Sequence, residues 1–117
     1  MSKLDPITEN DVKALVKDWF EGGWSYAPIQ NGMGVHGIPD RIGCIPIVIG
    51  PEHVGKLFGL FVAVECKRPG RRNEQERGCT KNQIHTIDSI IEAGGVAFVC
   101  DGKEDLLHAE ETWPWMS

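Results

Sequence analysis

Apolar positions fall in two rhythms along this chain. Between Thr8 and Gly22-Gly23, Val12, Leu15, Val16 and Trp19 recur at i, i+3, i+4 and i+7, which puts them on one face of a helix over about residues 9–20. Thr8 supplies an N-cap, with Asp11 at the third helical position, and the glycine pair ends the segment. "TKNQIHTIDSIIEAGG" repeats the pattern: Thr80 and Gln83 form a capping box, Ile84, Ile87 and Ile91 give the stripe, and Gly94-Gly95 terminates it. Elsewhere the pattern is that of strands: residues 24–28, 40–49, 58–67 and 96–100. The run "FGLFVAVECK", rich in Val and Phe and apolar at nearly every position, is the strongest strand candidate. Pro46 inside "DRIGCIPIVI" predicts an edge position or a bulge. The Gly-rich segment from 29 to 38 and the stretch "RPGRRNEQERGC" read as loops, and Asp101 is placed to cap a last short helix through Leu107.

The order α, β, β, β, α, β predicts an α/β domain with a mixed sheet flanked by helices, the helix between the last two strands making those two parallel. At 117 residues the chain suits a single domain spanning 1–117. No apolar run approaches the roughly 20 residues that span a bilayer. The N-terminus has no apolar stretch of signal-peptide type, so the expected location is intracellular, in the cytoplasm. Cys44, Cys66, Cys79 and Cys100 lack the spacing of a zinc site or a disulfide framework. Three of them lie in apolar segments and read as small buried hydrophobes; Cys79, in a polar loop, reads as an exposed thiol.

Net charge is −5, which by itself does not point to nucleic acid. The distribution changes the picture: residues 67–81 hold six of the twelve Lys and Arg residues. Such a block is either a solvated loop or a surface for phosphates.

Two apolar segments carry acidic residues where a small protein builds its core: "GIPD", ending at Asp40, and "VECK", containing Glu65 and Lys67. Alternation along a strand puts Glu65 and Lys67 on one face, about 6.6 Å apart. If the strand that Asp40 opens pairs with theirs, the three groups converge at one sheet edge. Two adjacent carboxylates repel, and a hard divalent cation with oxygen ligands relieves that repulsion. A metal beside an ammonium suits hydrolysis of a phosphoryl group by water.

"PD" followed after 24 residues by "ECK" resembles the PD…(D/E)xK signature of the restriction-endonuclease-like superfamily, and within it the VRR-NUC family of nuclease domains. The resemblance extends to "KNQIHTIDSIIEAGGVAFV", with a Gln opening a helix that leads to a Gly turn and a strand, and to Glu9 at the start of the first helix. It spans roughly residues 9–100 and implies a restriction-endonuclease-like αβββαβ core. It further implies that Asp40 and Glu65 hold Mg²⁺ or Mn²⁺ with the backbone carbonyl of Cys66, and that Glu9 contributes directly or through water. Lys67 would position or activate the water, and Gln83 would orient groups about the lysine or the scissile phosphate.

Each residue also has a plainer reading. Asp40 after Pro39 fits turn chemistry, and Glu65 with Lys67 fits an ion pair at a strand end. Glu9 suits the helix dipole, and Gln83 suits the capping box. Arg68, Arg71, Arg72, Lys81 and the loop residue His36 are candidate DNA contacts, which would bind phosphate without reading sequence. Trp113 and Trp115 suit burial or a subunit contact better than stacking on bases.

The resemblance implies a metal-dependent, structure-selective DNA endonuclease that acts as a homodimer on branched DNA such as Holliday junctions, in a phage or bacterium. Two other classes compete with it. One is a non-catalytic DNA-binding subunit of a repair or replication complex that keeps the nuclease fold; the other is an acidic interaction protein with a structural Ca²⁺.

Overall fold

The computed structural model describes residues 5–29, 37–47 and 51–112. Its elements run α1 (Glu9–Trp19), β1 (Trp24–Tyr26), β2 (Arg41–Ile47), β3 (Phe58–Cys66), α2 (Lys81–Glu92), β4 (Val96–Cys100) and α3 (Lys103–Glu111). The protein is a small α/β fold with a four-stranded mixed sheet of order β1-β2-β3-β4, flanked by helices. β1 and β3 both run antiparallel to β2, and β4 runs parallel to β3. That parallel pair is joined through α2, as a crossover helix requires.

α1 begins where the Thr8 Oγ1 accepts the Asp11 N–H at 3.1 Å and the Asp11 carboxylate accepts the Thr8 and Ile7 N–H groups at 3.1 and 3.0 Å. Those backbone hydrogen bonds hold the Asp11 carboxyl below its ordinary pKa. Val12 and Val16 are wholly buried and, with Phe20, pack on Leu60, Val62 and Val64 of β3. Leu106 of α3 joins this layer, and the Trp19 indole donates to Glu110 at 2.9 Å, tying α1 to α3. The opposite sheet face packs Ala63, Ala97 and Val99 against Ile87 and Ile90 of α2.

Several expectations shift in detail. The first strand ends at Tyr26 rather than 28, and the second begins at Arg41, leaving Asp40 just outside it; residues 48 and 49 lie outside the described residues. β2 is an inner strand, yet among the described residues β1 pairs with it only as far as Cys44, so Pro46 lies where β1 has ended and its missing N–H costs no rung on that side. The polar stretch after β3 is not one open loop. It contains a 3₁₀ turn, Arg71–Asn73, and a tight turn, Gln75–Gly78, whose Glu76, Arg77 and Gly78 take left-handed backbone with φ of 56°, 54° and 75°. The last helix runs to Glu111 and starts after Gly102. The N-cap position is Gly102, one residue past Asp101, and the Asp101 N–H donates to the Asp105 carboxylate at 2.9 Å. Trp113 and Trp115 lie outside the described residues.

Two cysteines also depart from expectation. Cys66 and Cys100 are buried, but Cys44 is exposed and Cys79 is half-buried against the α2 layer. α2 is the reason for both. It covers β4 and the Ala63–Glu65 end of β3 on its sheet face and leaves β1, most of β2 and the Gly59–Phe61 end of β3 open. There Trp24 pairs with Cys44 and Cys44 with Phe61, in a row across three strands. Trp24 is 63% exposed, Tyr26 48% and Phe61 42%. The six exposed positions of this open area (Trp24, Tyr26, Cys44, Pro46, Gly59 and Phe61) include no charged residue.

On the other face Gly43 admits α1. A Cβ there would collide with the Trp24 carbonyl oxygen and come within 2.8 Å of the Phe20 ring. Gly43→Ala is therefore expected to destabilise the fold by about 1–3 kcal/mol, as overpacked cores do, read as a lower urea midpoint with an unchanged slope.

Candidate active site

The site forms where β3 ends. The register that pairs Arg41 with Val64 carries Asp40 towards Glu65. Pro39, fully buried, fixes the chain on entry, and the Asp40 Oδ2 accepts the Cys66 N–H at 2.7 Å in place of the next rung of the ladder. Glu65 lies on the α2 face of the sheet and is only 4% exposed.

A buried carboxylate needs compensation. Glu65 obtains it from the start of α2. The Gln83 Nε2 donates to Glu65 Oε1 at 3.0 Å, while the Gln83 Oε1 accepts both the Thr80 N–H at 2.9 Å and the Lys67 ammonium at 3.1 Å. The Lys67 Nζ lies 3.8 Å from the same Glu65 oxygen. Gln83 thus closes the capping box and contacts both Lys67 and Glu65 with one amide. α2 is held near by Gly37: at φ 79° it approaches the Asn82–Gln83 peptide so closely that a Cβ would lie 2.5 Å from Asn82 C.

The Glu65 carboxyl is pushed up to about 9, first by burial, then by its hydrogen bond to Asp40 and the Asp40 charge, with Lys67 opposing and Glu9 adding to the rise. At neutral pH Glu65 therefore carries a proton and donates it to Asp40. Burial, with the Asp40 charge beside it, also pushes the Cys66 thiol up, which keeps it inert.

Four predicted side chains (Asp40, Glu65, Lys67 and Gln83) come together here. Cys66 joins them through its backbone: within a strand a residue's N–H and C=O point the same way, so its carbonyl faces the side on which Asp40 takes the N–H. Glu9 does not reach the carboxyl pair. Its Oε2 lies 3.5 Å from Lys13, whose ammonium is 3.9 Å from Asp40 Oδ1. Lys13 is the site residue that the motif does not name. Its spacing of four from Glu9 on the first helix was the available signal.

The basic block is drawn elsewhere. The Arg68 guanidinium lies 3.7 Å and that of Arg71 2.6 Å from the same Glu74 oxygen, and Arg71 also donates to the Gly78 carbonyl at 3.3 Å. Arg71 thereby pins the turn that follows it. Arg72 lies in the 3₁₀ turn, but its side chain and all of His36 fall outside the described residues. Lys81, exposed at the first position of α2, lines a surface hollow of about 430 Å³ with Glu76, Cys79 and His85, apart from the carboxyl pair.

Among the described residues no three His, Cys, Asp or Glu side chains form a group that could hold a metal ion. The donor set in question is smaller: two carboxyl groups and a main-chain carbonyl. Such a set fits Mg²⁺ or Mn²⁺, since Mg²⁺ commonly takes one or two carboxylates and fills its shell with water and substrate phosphate.

The chain matches no protein-family model, and a search of curated proteins returns no match either.

Because the Glu65 pKa is raised from its ordinary 4.5, folding takes up a proton between about pH 4.5 and 9. Stability from this group is complete below that window and falls as pH rises through it, by at most about 1.4 kcal/mol per pH unit. Urea unfolding at pH 5, 7 and 9 without metal is expected to show this decline, and Glu65→Gln is expected to flatten it. Parallel pH profiles for the two proteins would place Glu65 in an ordinary carboxylate environment.

Proposed function

We propose that this protein is a divalent-metal-dependent nuclease with a restriction-endonuclease-like core of the VRR-NUC type. The reading rests on one observation: the buried Glu65 carboxyl set beside the half-buried Asp40 carboxyl, with the Lys67 ammonium held next to Glu65 by Gln83. A structural ion pair would not need two carboxyl groups pressed together, and their conflict is useful only where a cation binds.

Asp40, Glu65 and the Cys66 carbonyl would hold Mg²⁺ or Mn²⁺. When bound, that ion would polarise a phosphoryl oxygen and ease ionisation of a water. Lys67 lies on the Glu65 side, tethered and only 12% exposed in its side chain, so its ammonium keeps one position as charge develops. Held there, it can hydrogen-bond the attacking water and offset charge growing on the phosphate. Gln83 acts through Lys67 and Glu65, keeping both in register.

Branched DNA is the substrate to which the resemblance points, with a homodimer supplying two sites. The open half-face by Trp24, Cys44 and Phe61 is the surface that fits a second copy. A twofold contact sets each central residue near its own duplicate, so a centre without charge avoids like-charge repulsion. The patch lies up the strands from Glu65, leaving the site end clear.

Lys67→Ala and Asp40→Asn are each expected to slow Mn²⁺-dependent cleavage by a hundredfold or more, the scale on which removing a charge-stabilising donor acts. A panel of linear, flap, splayed and four-way substrates is the measurement. Wild-type rates from a variant would remove that residue from the mechanism.

The dimer has its own test. A short bismaleimide is expected to join two chains through Cys44 at micromolar protein, and Trp24→Ser is expected to abolish the product. Failure to crosslink, with only monomer in equilibrium sedimentation, would exclude this face as the contact.

A further inference from the structure

Lys67 has a counterpart across the carboxyl pair. Lys13 projects from α1 with its ammonium 3.9 Å from Asp40 Oδ1, so the two carboxyl groups lie between two lysines. The two lysines are held differently. Lys67 is tied to Gln83 and nearly covered, whereas the Lys13 side chain is 44% exposed and is paired with Glu9 at 3.5 Å.

We propose that Lys13 is a binding residue for a backbone phosphate of the nucleic acid, and that in the free protein its ammonium stands in for the metal's charge at Asp40. The proposal deepens the nuclease reading and rests on it. Of the two Asp40 oxygens, Oδ2 already accepts the Cys66 N–H, and Oδ1 is the one that faces Lys13. A separation of 3.9 Å is beyond hydrogen-bond length, so the attraction is Coulombic and the ammonium moves without breaking a bond. A divalent cation held by Asp40 would repel that ammonium. Glu9 then keeps it at the mouth of the site, on the solvent side, where a phosphate of the bound strand would arrive. Glu9 thus acts at the site through Lys13 rather than as a ligand.

This arrangement makes the two affinities respond with opposite sign when Lys13 loses its charge. Removing the charge relieves repulsion on an incoming cation and deletes a phosphate contact. A merely structural lysine would move neither in that way.

The test uses Lys13→Met, which keeps chain length and helix propensity, and Lys13→Arg, which keeps the charge. Titration calorimetry with Mn²⁺ alone is expected to show roughly three- to tenfold tighter binding to Lys13→Met, the scale of a nearby unit charge screened by water. Anisotropy of a labelled four-way junction in Ca²⁺ is expected to show weaker binding. The slope of log affinity against log salt should fall by about one, as for one lost phosphate contact. Lys13→Arg should restore the slope. An unchanged slope, or weaker Mn²⁺ binding, in Lys13→Met would overturn the proposal. If that happens while the wild type binds Mn²⁺ and cuts DNA, only the role of Lys13 falls. If the wild type binds neither Mn²⁺ nor the junction, the nuclease reading falls and takes this one with it.

Discussion

Two carboxyl groups at the end of a buried strand cannot both ionise without a cation between them. That conflict between Asp40 and Glu65 is the constraint around which the centre of this protein is arranged. Glu65 is covered because β3 is the strand with helices on both of its faces. Asp40 is brought to it because the β2–β3 register runs on past Arg41 and because Pro39 is locked into the core. The pair remains tolerable because one proton is shared and because ammonium groups stand at each end. Every contact of the site either supplies charge to that pair or holds a group that does.

The start of α2 shows how few atoms this takes. Its capping box would serve any helix, yet the Gln83 amide that closes it also takes the Lys67 ammonium and gives a hydrogen bond to Glu65. Helix initiation and site geometry are therefore one network, and loosening the cap loosens the lysine. Gly37 belongs to the same network, since only a residue without a Cβ lets its chain pass so close to the Asn82–Gln83 peptide.

The two faces of the sheet are unequal, and this shapes what the protein can meet. α1 and α3 together cover one face, bridged by the Trp19–Glu110 hydrogen bond. α2 alone covers half of the other. The uncovered half carries three exposed aromatic rings without a charge among them, while the site opens on the same face further along the strands. Two residues of the basic block are engaged within their own loop: Arg68 and Arg71 share the Glu74 carboxylate, and Arg71 holds the left-handed turn at Glu76 to Gly78.

What the sequence alone determined was whatever depends on near neighbours. The apolar period of 3.6 set α1 and α2, both helix starts could be read from Thr8 with Asp11 and Thr80 with Gln83, and the apolar run of β3 marked it as a strand. The meeting of Asp40, Glu65 and Lys67 was legible from strand alternation once their two strands pair, whereas Gln83 was expected beside Lys67 only from the resemblance. Tertiary structure decided what depends on which surfaces end up covered. Cys44 is exposed and Cys79 half-buried because α2 lies over β3 and β4 rather than β1 and β2, a choice no local pattern encodes. Glu9 lies 3.5 Å from Lys13, whose ammonium is 3.9 Å from Asp40, because the reach between helix and sheet, not the order of residues, sets which charge meets which. Arg71 was taken up by its own loop for the same reason: a charge in a sequence has no partner until the chain has folded around it.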